Sequence, residues 1–315
     1  MDDGVAAMLR TLDGAFPPVE RMSARDARAA VAARRQTVDN VDDAIAQDRC
    51  VDVENGTVAV RVYRPLSTSR APRAGVVFLH GGGFVLCDID SHDGFCRAMS
   101  RHTDSVVVSV NYRLAPEHAA PTAALDALAA FDWAVRNAEE LGLDPHRVAV
   151  AGDSAGGNLA AAVSIARRNG GAVLPAAQIL LYPMMDPACD SPSHRRRATG
   201  CATTHAALQW YWHQYLGGSA IPDPAYLVAP PRADSMVDLP PAVVVTASLD
   251  PLHDEGVAYA RRLRSAGVPV VHRDYRGLFH GFLSMMSFPP AREGRRHLWA
   301  DMREMLHSRT PEVAT

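Results

Sequence analysis

The sequence predicts an α/β fold, a mostly parallel central sheet with helices on both faces. Three observations predict it. Short β-branched runs alternate with helical segments, the order that a parallel sheet with crossover helices requires. Two of those runs lead directly into glycine-rich turns, at 81–83 and 152–157. Hydrophobic residues make up 48% of the 315 residues and charged residues 21%, which supplies a large core and argues against disorder.

The elements follow in chain order. Residues 1–45 read as helical, with Met8, Leu9, Leu12 and Phe16, and later Ala29, Ala30 and Val31, at helical spacing. The segment 58–63 (VAVRVY) alternates like a strand. The runs 75–79 (GVVFL) and 105–110 (SVVVSV) are continuous, as in strands buried on both faces. A helix is predicted over 121–141, a strand over 147–151 (RVAVA) and a small-residue helix over 155–168. Strands at 179–182 and 242–247, a helix at 254–266, a strand at 268–275 and a C-terminal helical tail complete the pattern. The stretch 186–235 breaks the rhythm. It is rich in Pro, Ser, Arg and aromatics, with one helix-like piece at 206–216, and reads as an insertion over the sheet. The whole chain, 1–315, is expected to form one domain.

Composition excludes several function classes. The formal net charge is -3, and the only basic run is Arg195-Arg196-Arg197, so nucleic acid is not an expected partner. No run approaches the ~20 apolar residues of a membrane span, and no signal-peptide pattern is present. The five cysteines are odd in number and form no CxxC pair, which fits a reducing, cytoplasmic setting. No metal-ligand motif such as HExxH occurs, so neither a metal nor a cofactor is expected.

Three local patterns carry chemistry. Gly152-Asp153-Ser154-Ala155-Gly156 fits G-x-S-x-G between a strand and a helix, the setting of a strained nucleophile turn. Ser154 then stands at a helix N-terminus, where negative charge is favoured. His80-Gly81-Gly82-Gly83 follows the strand GVVFL and offers unobstructed N–H groups for an oxyanion. The expected donors are the N–H groups of Gly82, Gly83 and Ala155, with Gly81 a further candidate. An acid and then a histidine should follow the serine in chain order. Asp250 ends the strand VVVTASLD, and His280 lies in a loop after the last strand. Asp254 and Glu255 are the alternative acids, while His272, within a strand, reads as structural. Phe84, Leu86, Met184, Met185, Trp210, Phe279 and Leu283 are candidate pocket walls. Trp210, Tyr211, Trp212 and Tyr215 also suit packing within the insertion.

Together, HGGGF at 80–84, NYRLAPEH at 111–118, GDSAGGN at 152–158, DPLHDEG at 250–256 and HGF at 280–282 resemble one family. The chain is similar to the bacterial hormone-sensitive-lipase-like carboxylesterases, family IV of the GDSAG type, in the α/β-hydrolase superfamily. The resemblance implies an α/β-hydrolase fold with a helical cap built from about 1–45 and about 186–235. It also implies hydrolysis of short- to medium-chain acyl esters by Ser154, Asp250 and His280, and a homodimer. Glu117 and His118 would be scaffold residues near the site. The family often carries Arg where this chain has His253, so an ion pair supporting the acid loop is expected to differ. The same triad also serves amidases, aryl-formamidases and deacetylases, and fold alone does not separate them. A non-catalytic receptor on this scaffold is a remote alternative, disfavoured because His280 is present.

Overall fold

The computed structural model describes residues 3–15, 17–35, 37–67 and 72–307. Phe16, read as part of the first helix, lies outside the described residues. The strands are β1 (Ala44–Val53), β2 (Gly56–Pro65), β3 (Arg73–Leu79), β4 (Val106–Val110), β5 (Leu143–Asp153), β6 (Gln178–Leu181), β7 (Ala242–Leu249) and β8 (Val270–Phe279). They form one sheet in the order β1-β2-β4-β3-β5-β6-β7-β8. β1, β2 and β4 pair antiparallel, and every pair from β4 to β8 is parallel.

The helices are α1 (Asp3–Ala15), α2 (Ala24–Ala32), α3 (Asp93–Thr103), α4 (Thr122–Arg136), α5 (Ala138–Leu141), α6 (Ala155–Asn169), α7 (Pro192–Arg196), α8 (His205–Leu216), α9 (His253–Ser265) and α10 (Ala291–His307). Successive strand residues point to opposite faces, and the core divides accordingly. Val77 and Leu79 of β3 join one buried cluster with α4, α6, α9 and α8. Val76 and Phe78 join the other, with α1, α3 and α10. A fully buried Leu- or Phe-sized side chain contributes about 1.5–3 kcal/mol, so both faces need their helical cover.

The N-terminal region is less uniformly helical than its pattern predicts. Its helices end at Ala32, and β1 starts at Ala44. β1 escaped the sequence reading because it is an edge strand whose exposed positions include Gln47, Asp48 and Asp52. α3 escaped it too. Its buried side, Phe95, Cys96 and Met99, is interrupted by Gly94 and Arg97. In the insertion, α8 begins where Thr204 accepts a hydrogen bond from the Ala207 N–H at 3.1 Å, a cap contributing about 1 kcal/mol. α7 is an additional short helix.

Register explains where chemistry can collect. Leu79 of β3 lies opposite Gly152 of β5, and Asp153 opposite Leu181 of β6. Leu249 of β7 lies opposite Phe279 of β8. The turns after β3, β5, β7 and β8 therefore emerge at one edge of the sheet, outside the carboxyl ends of its strands, the usual location of sites in open α/β sheets.

Candidate active site

Ser154 occupies the joint between β5 and α6 with φ 55° and ψ −117°, strained values for an L-residue. The surroundings hold it there. Its N–H donates to the Leu181 carbonyl at 2.9 Å, and its carbonyl accepts from Met184 N–H at 3.0 Å. Gly152 and Gly156 make the turn sterically feasible. A Cβ on Gly156 would overlap the Leu79 carbonyl, and one on Gly152 would overlap Gly156. The two outer positions of G-x-S-x-G are thus set by backbone touching backbone.

His280 Nε2 lies 2.9 Å from Ser154 Oγ, and His280 Nδ1 lies 2.7 Å from Asp250 Oδ2. Asp250 is fully buried, and its other oxygen accepts from the Leu252 N–H at 2.8 Å. The Tyr182 ring meets the imidazole edge-on, with centroids 5.0 Å apart. Burial disfavours charge on His280. The charge and hydrogen bond of Asp250, with Asp153 and Glu255 farther off, outweigh it and hold the pKa above the ordinary histidine value.

The alternative acids are engaged elsewhere. Glu255 is partly buried, accepts from the N–H groups of Met185 and Asp186 at 2.6 and 2.9 Å, and pairs with His194 at 2.8 Å. Asp254 pairs with Arg196 at 2.9 Å and His253 at 2.8 Å. His253 also reaches Asp274 on β8 at 3.1 Å. These two contacts stand where the family pattern has Arg. His272 pairs with Thr246 at 3.0 Å, a structural contact.

The turn after β3 corrects one expectation. Gly81 N–H donates to Asp153 Oδ1 at 2.8 Å, so it is not free to bind an oxyanion. Gly82 and Gly83 have φ of 109° and 61°, and their N–H groups meet no protein acceptor among the described residues. The Ala155 N–H lies in the first turn of α6, where no intrahelical acceptor exists. Gly83 lies so close to the Tyr211 ring that a Cβ would overlap it. Phe84 stacks on Tyr215 with centroids 3.9 Å apart, joining this turn to α8. Arg28 of α2 braces it from the other side. Its guanidinium donates to the Val85 carbonyl at 2.7 Å and the Ala115 carbonyl at 2.6 Å, and forms a two-pronged pair with Glu117 at 2.6 and 2.8 Å. The Arg28 hydrogen bonds hold the Glu117 carboxyl down at about 2, a scaffold role.

The remaining pocket candidates divide. Leu86, Met184 and Met185 are buried in the cluster that also holds Phe84 and α8. Trp210 is half-buried, edge-on to Tyr211. Phe279 and Leu283 lie in the opposite cluster, Phe279 against Phe288 with centroids 5.5 Å apart.

A sequence profile described as the α/β hydrolase fold matches residues 76–284. The chain belongs to that family. Among curated relatives, the carboxylic ester hydrolase LipN of Mycobacterium tuberculosis is 44% identical over 73% of this chain and 62% of its own length. The ethyl acetate hydrolase of Pseudomonas putida is 36% identical over 87% of each. A thermostable esterase from Pseudomonas putida ECU1011 superposes with a TM-score of 0.89 at 32% identity, over 98% of each chain. The protein is a carboxylic ester hydrolase of the hormone-sensitive-lipase-like group. Among the described residues, no helix of this esterase is long and apolar enough to cross a membrane.

Several residues around the Ser154, His280 and Asp250 cluster were not singled out from the sequence. Arg28 and Tyr182 act through contacts to distant segments and carry no local signature. Asn158 is part of GDSAGGN; its side chain ties Met184 and Val228 carbonyls together at 2.8 Å each. Asp153 is the unspecified second residue of the serine pentapeptide, and the buried His92 sits 3.1 Å from it.

Proposed function

We propose that this esterase hydrolyses short- to medium-chain acyl esters through an acyl-enzyme on Ser154, with Asp250 and His280 completing the triad. The reading rests on one observation, the unbroken hydrogen-bond chain Asp250–His280–Ser154 at 2.7 and 2.9 Å. His280 takes the Ser154 proton as Oγ attacks the ester carbonyl. The oxyanion is received by the N–H groups of Gly82, Gly83 and Ala155, each such donor being worth about 3 kcal/mol. The tetrahedral intermediate collapses, and the alcohol leaves with the proton from His280. Water, deprotonated by His280, then releases the carboxylic acid and restores Ser154. The N-terminal helices α1 and α2 and residues 186–235 form the cap in this reading, and the packing of α8 on Gly83 and Phe84 supports the second part. A cytoplasmic location accords with five unpaired cysteines, and homodimer formation belongs to the same reading.

The pH profile tests the base. Neutral His280 accepts the proton, so kcat/KM should rise with pH through a single limb. Because Asp250 stabilises the imidazolium, that limb should be centred above the ordinary histidine value of 6.5. A limb centred below it would remove His280 from the role.

Acyl length tests the cap. Each added methylene gains about 0.8 kcal/mol while space remains, and overpacking then costs about 1–3 kcal/mol. Phe84, Tyr211, Trp212 and Tyr215 are already packed tightly. Across p-nitrophenyl esters, kcat/KM should peak at roughly C4–C8 by that balance. A relative named for ethyl acetate hydrolysis supports the short end. A maximum on C16 emulsions, with activation at the interface, would contradict the proposal.

A further inference from the structure

Behind the oxyanion turn lies a buried ion pair that the triad does not use. Asp153, next to the nucleophile, accepts the Gly81 N–H at 2.8 Å and faces His92 Nε2 at 3.1 Å. Both side chains are almost fully buried, at 7% exposure each.

The contacts define the protonation of His92. Ser91 Oγ accepts from the Asp88 N–H at 3.0 Å and gives its only proton to the Asp88 carbonyl at 2.6 Å. Its contact with His92 Nδ1 at 2.9 Å therefore needs a proton on Nδ1. Nε2 faces an ionised carboxylate, which only accepts. A ring donating from both nitrogens is an imidazolium. Asp88 across the Ser91 turn and Asp153 from β5 are the acidic groups facing it. His80, with its ring centroid 5.9 Å away, does not supply the charge. Burial drives its pKa down to about 4, so it is neutral.

A lone carboxylate beside Ser154 would oppose the negative charge that develops on the ester oxygen, because charges interact strongly where water is excluded. We propose that His92 is a positioning residue for ester hydrolysis. As an imidazolium it neutralises Asp153 and, through Asp153, fixes the Gly81 peptide and with it the amides of Gly82 and Gly83. This rests on the oxyanion assignment above. The interaction matters most when the oxyanion forms, so its loss falls on kcat rather than on KM.

The test is a double-mutant cycle on His92→Gln and Asp153→Asn with a p-nitrophenyl butyrate assay. Rates are expressed per active site titrated with a phosphonate, so misfolded molecules are not counted. His92→Gln should lower kcat by on the order of 10²-fold, comparable to losing one oxyanion donor, with little change in KM. Adding Asp153→Asn should recover much of that loss, because Asn accepts the Gly81 N–H without carrying charge. A merely structural role gives no such recovery. Losses that multiply in the double variant, or a wild-type kcat in His92→Gln, would overturn the proposal. Nitrogen-15 NMR of the wild-type imidazoles gives an independent reading. One doubly protonated imidazole signal should persist above the ordinary histidine value of 6.5 and be missing from His92→Gln, and its absence from the wild type would also overturn the proposal. If labelling and rates leave Ser154 as nucleophile while the rescue fails, the triad stands and only the role of His92 falls.

Discussion

Replacing Ser154 with alanine should lower kcat/KM by about 10⁴-fold or more while leaving the melting temperature near that of the parent. The size follows from the triad acting as a unit, since without Oγ neither His280 nor Asp250 has a nucleophile to serve. The fold should tolerate the change. The Ser154 backbone, not its side chain, makes the bonds to Leu181 and Met184, and alanine adds no atom near Leu79. Mass spectrometry after treatment with a fluorophosphonate gives the second half of the check. The parent should gain one adduct on Ser154, and the variant none. Labelling at another serine, or wild-type turnover without Oγ, would end the assignment.

Asp250→Asn should lower kcat by about 10⁴-fold, the loss typical when the triad acid becomes an amide. An amide in this buried position cannot stabilise the imidazolium and can impose the wrong tautomer on His280. Asp254→Asn is the control. Its carboxylate is partly exposed and pairs with Arg196 and His253 at the surface, a kind of contact worth about 0–1 kcal/mol. Activity within a few-fold of the parent is expected there. Equal, large losses in two folded variants would show that the acid loop acts as one body or that the acid is misassigned.

The fold was legible wherever one strand is buried on both faces. GVVFL, VVVSV and VVVTASL declare themselves by β-branched content alone, because both sides of the sheet are covered. β1 was hidden by its edge position, and α3 by a short apolar face broken by Gly94 and Arg97. The hydrogen-bonded residues Ser154, Asp250 and His280 were legible because each ends a strand or follows one, and strand ends are local features. What was not legible is set by contacts between distant segments. Nothing in the sequence near Gly81 says that its N–H is taken by Asp153. Nothing near Arg28 announces its grip on Val85, Ala115 and Glu117. Two of the pocket candidates, Phe279 and Leu283, adjoin His280 in sequence yet pack in the opposite cluster: Phe279 ends β8 one residue before His280, where successive side chains alternate in direction, and Leu283 lies in the short 3₁₀ turn that follows.

The parallel register that gathers the four turns also bears on how the enzyme comes into being. Ser154 and His280 are separated by 126 positions along the chain, and their meeting depends on β7 and β8 both joining a sheet begun by β3, β4 and β5. Such non-local parallel pairing is entropically slow. His280 directly follows β8, so no imidazole stands beside Ser154 until the last strand docks. Assembly of the Ser154–His280 contact is thus tied to completion of the sheet.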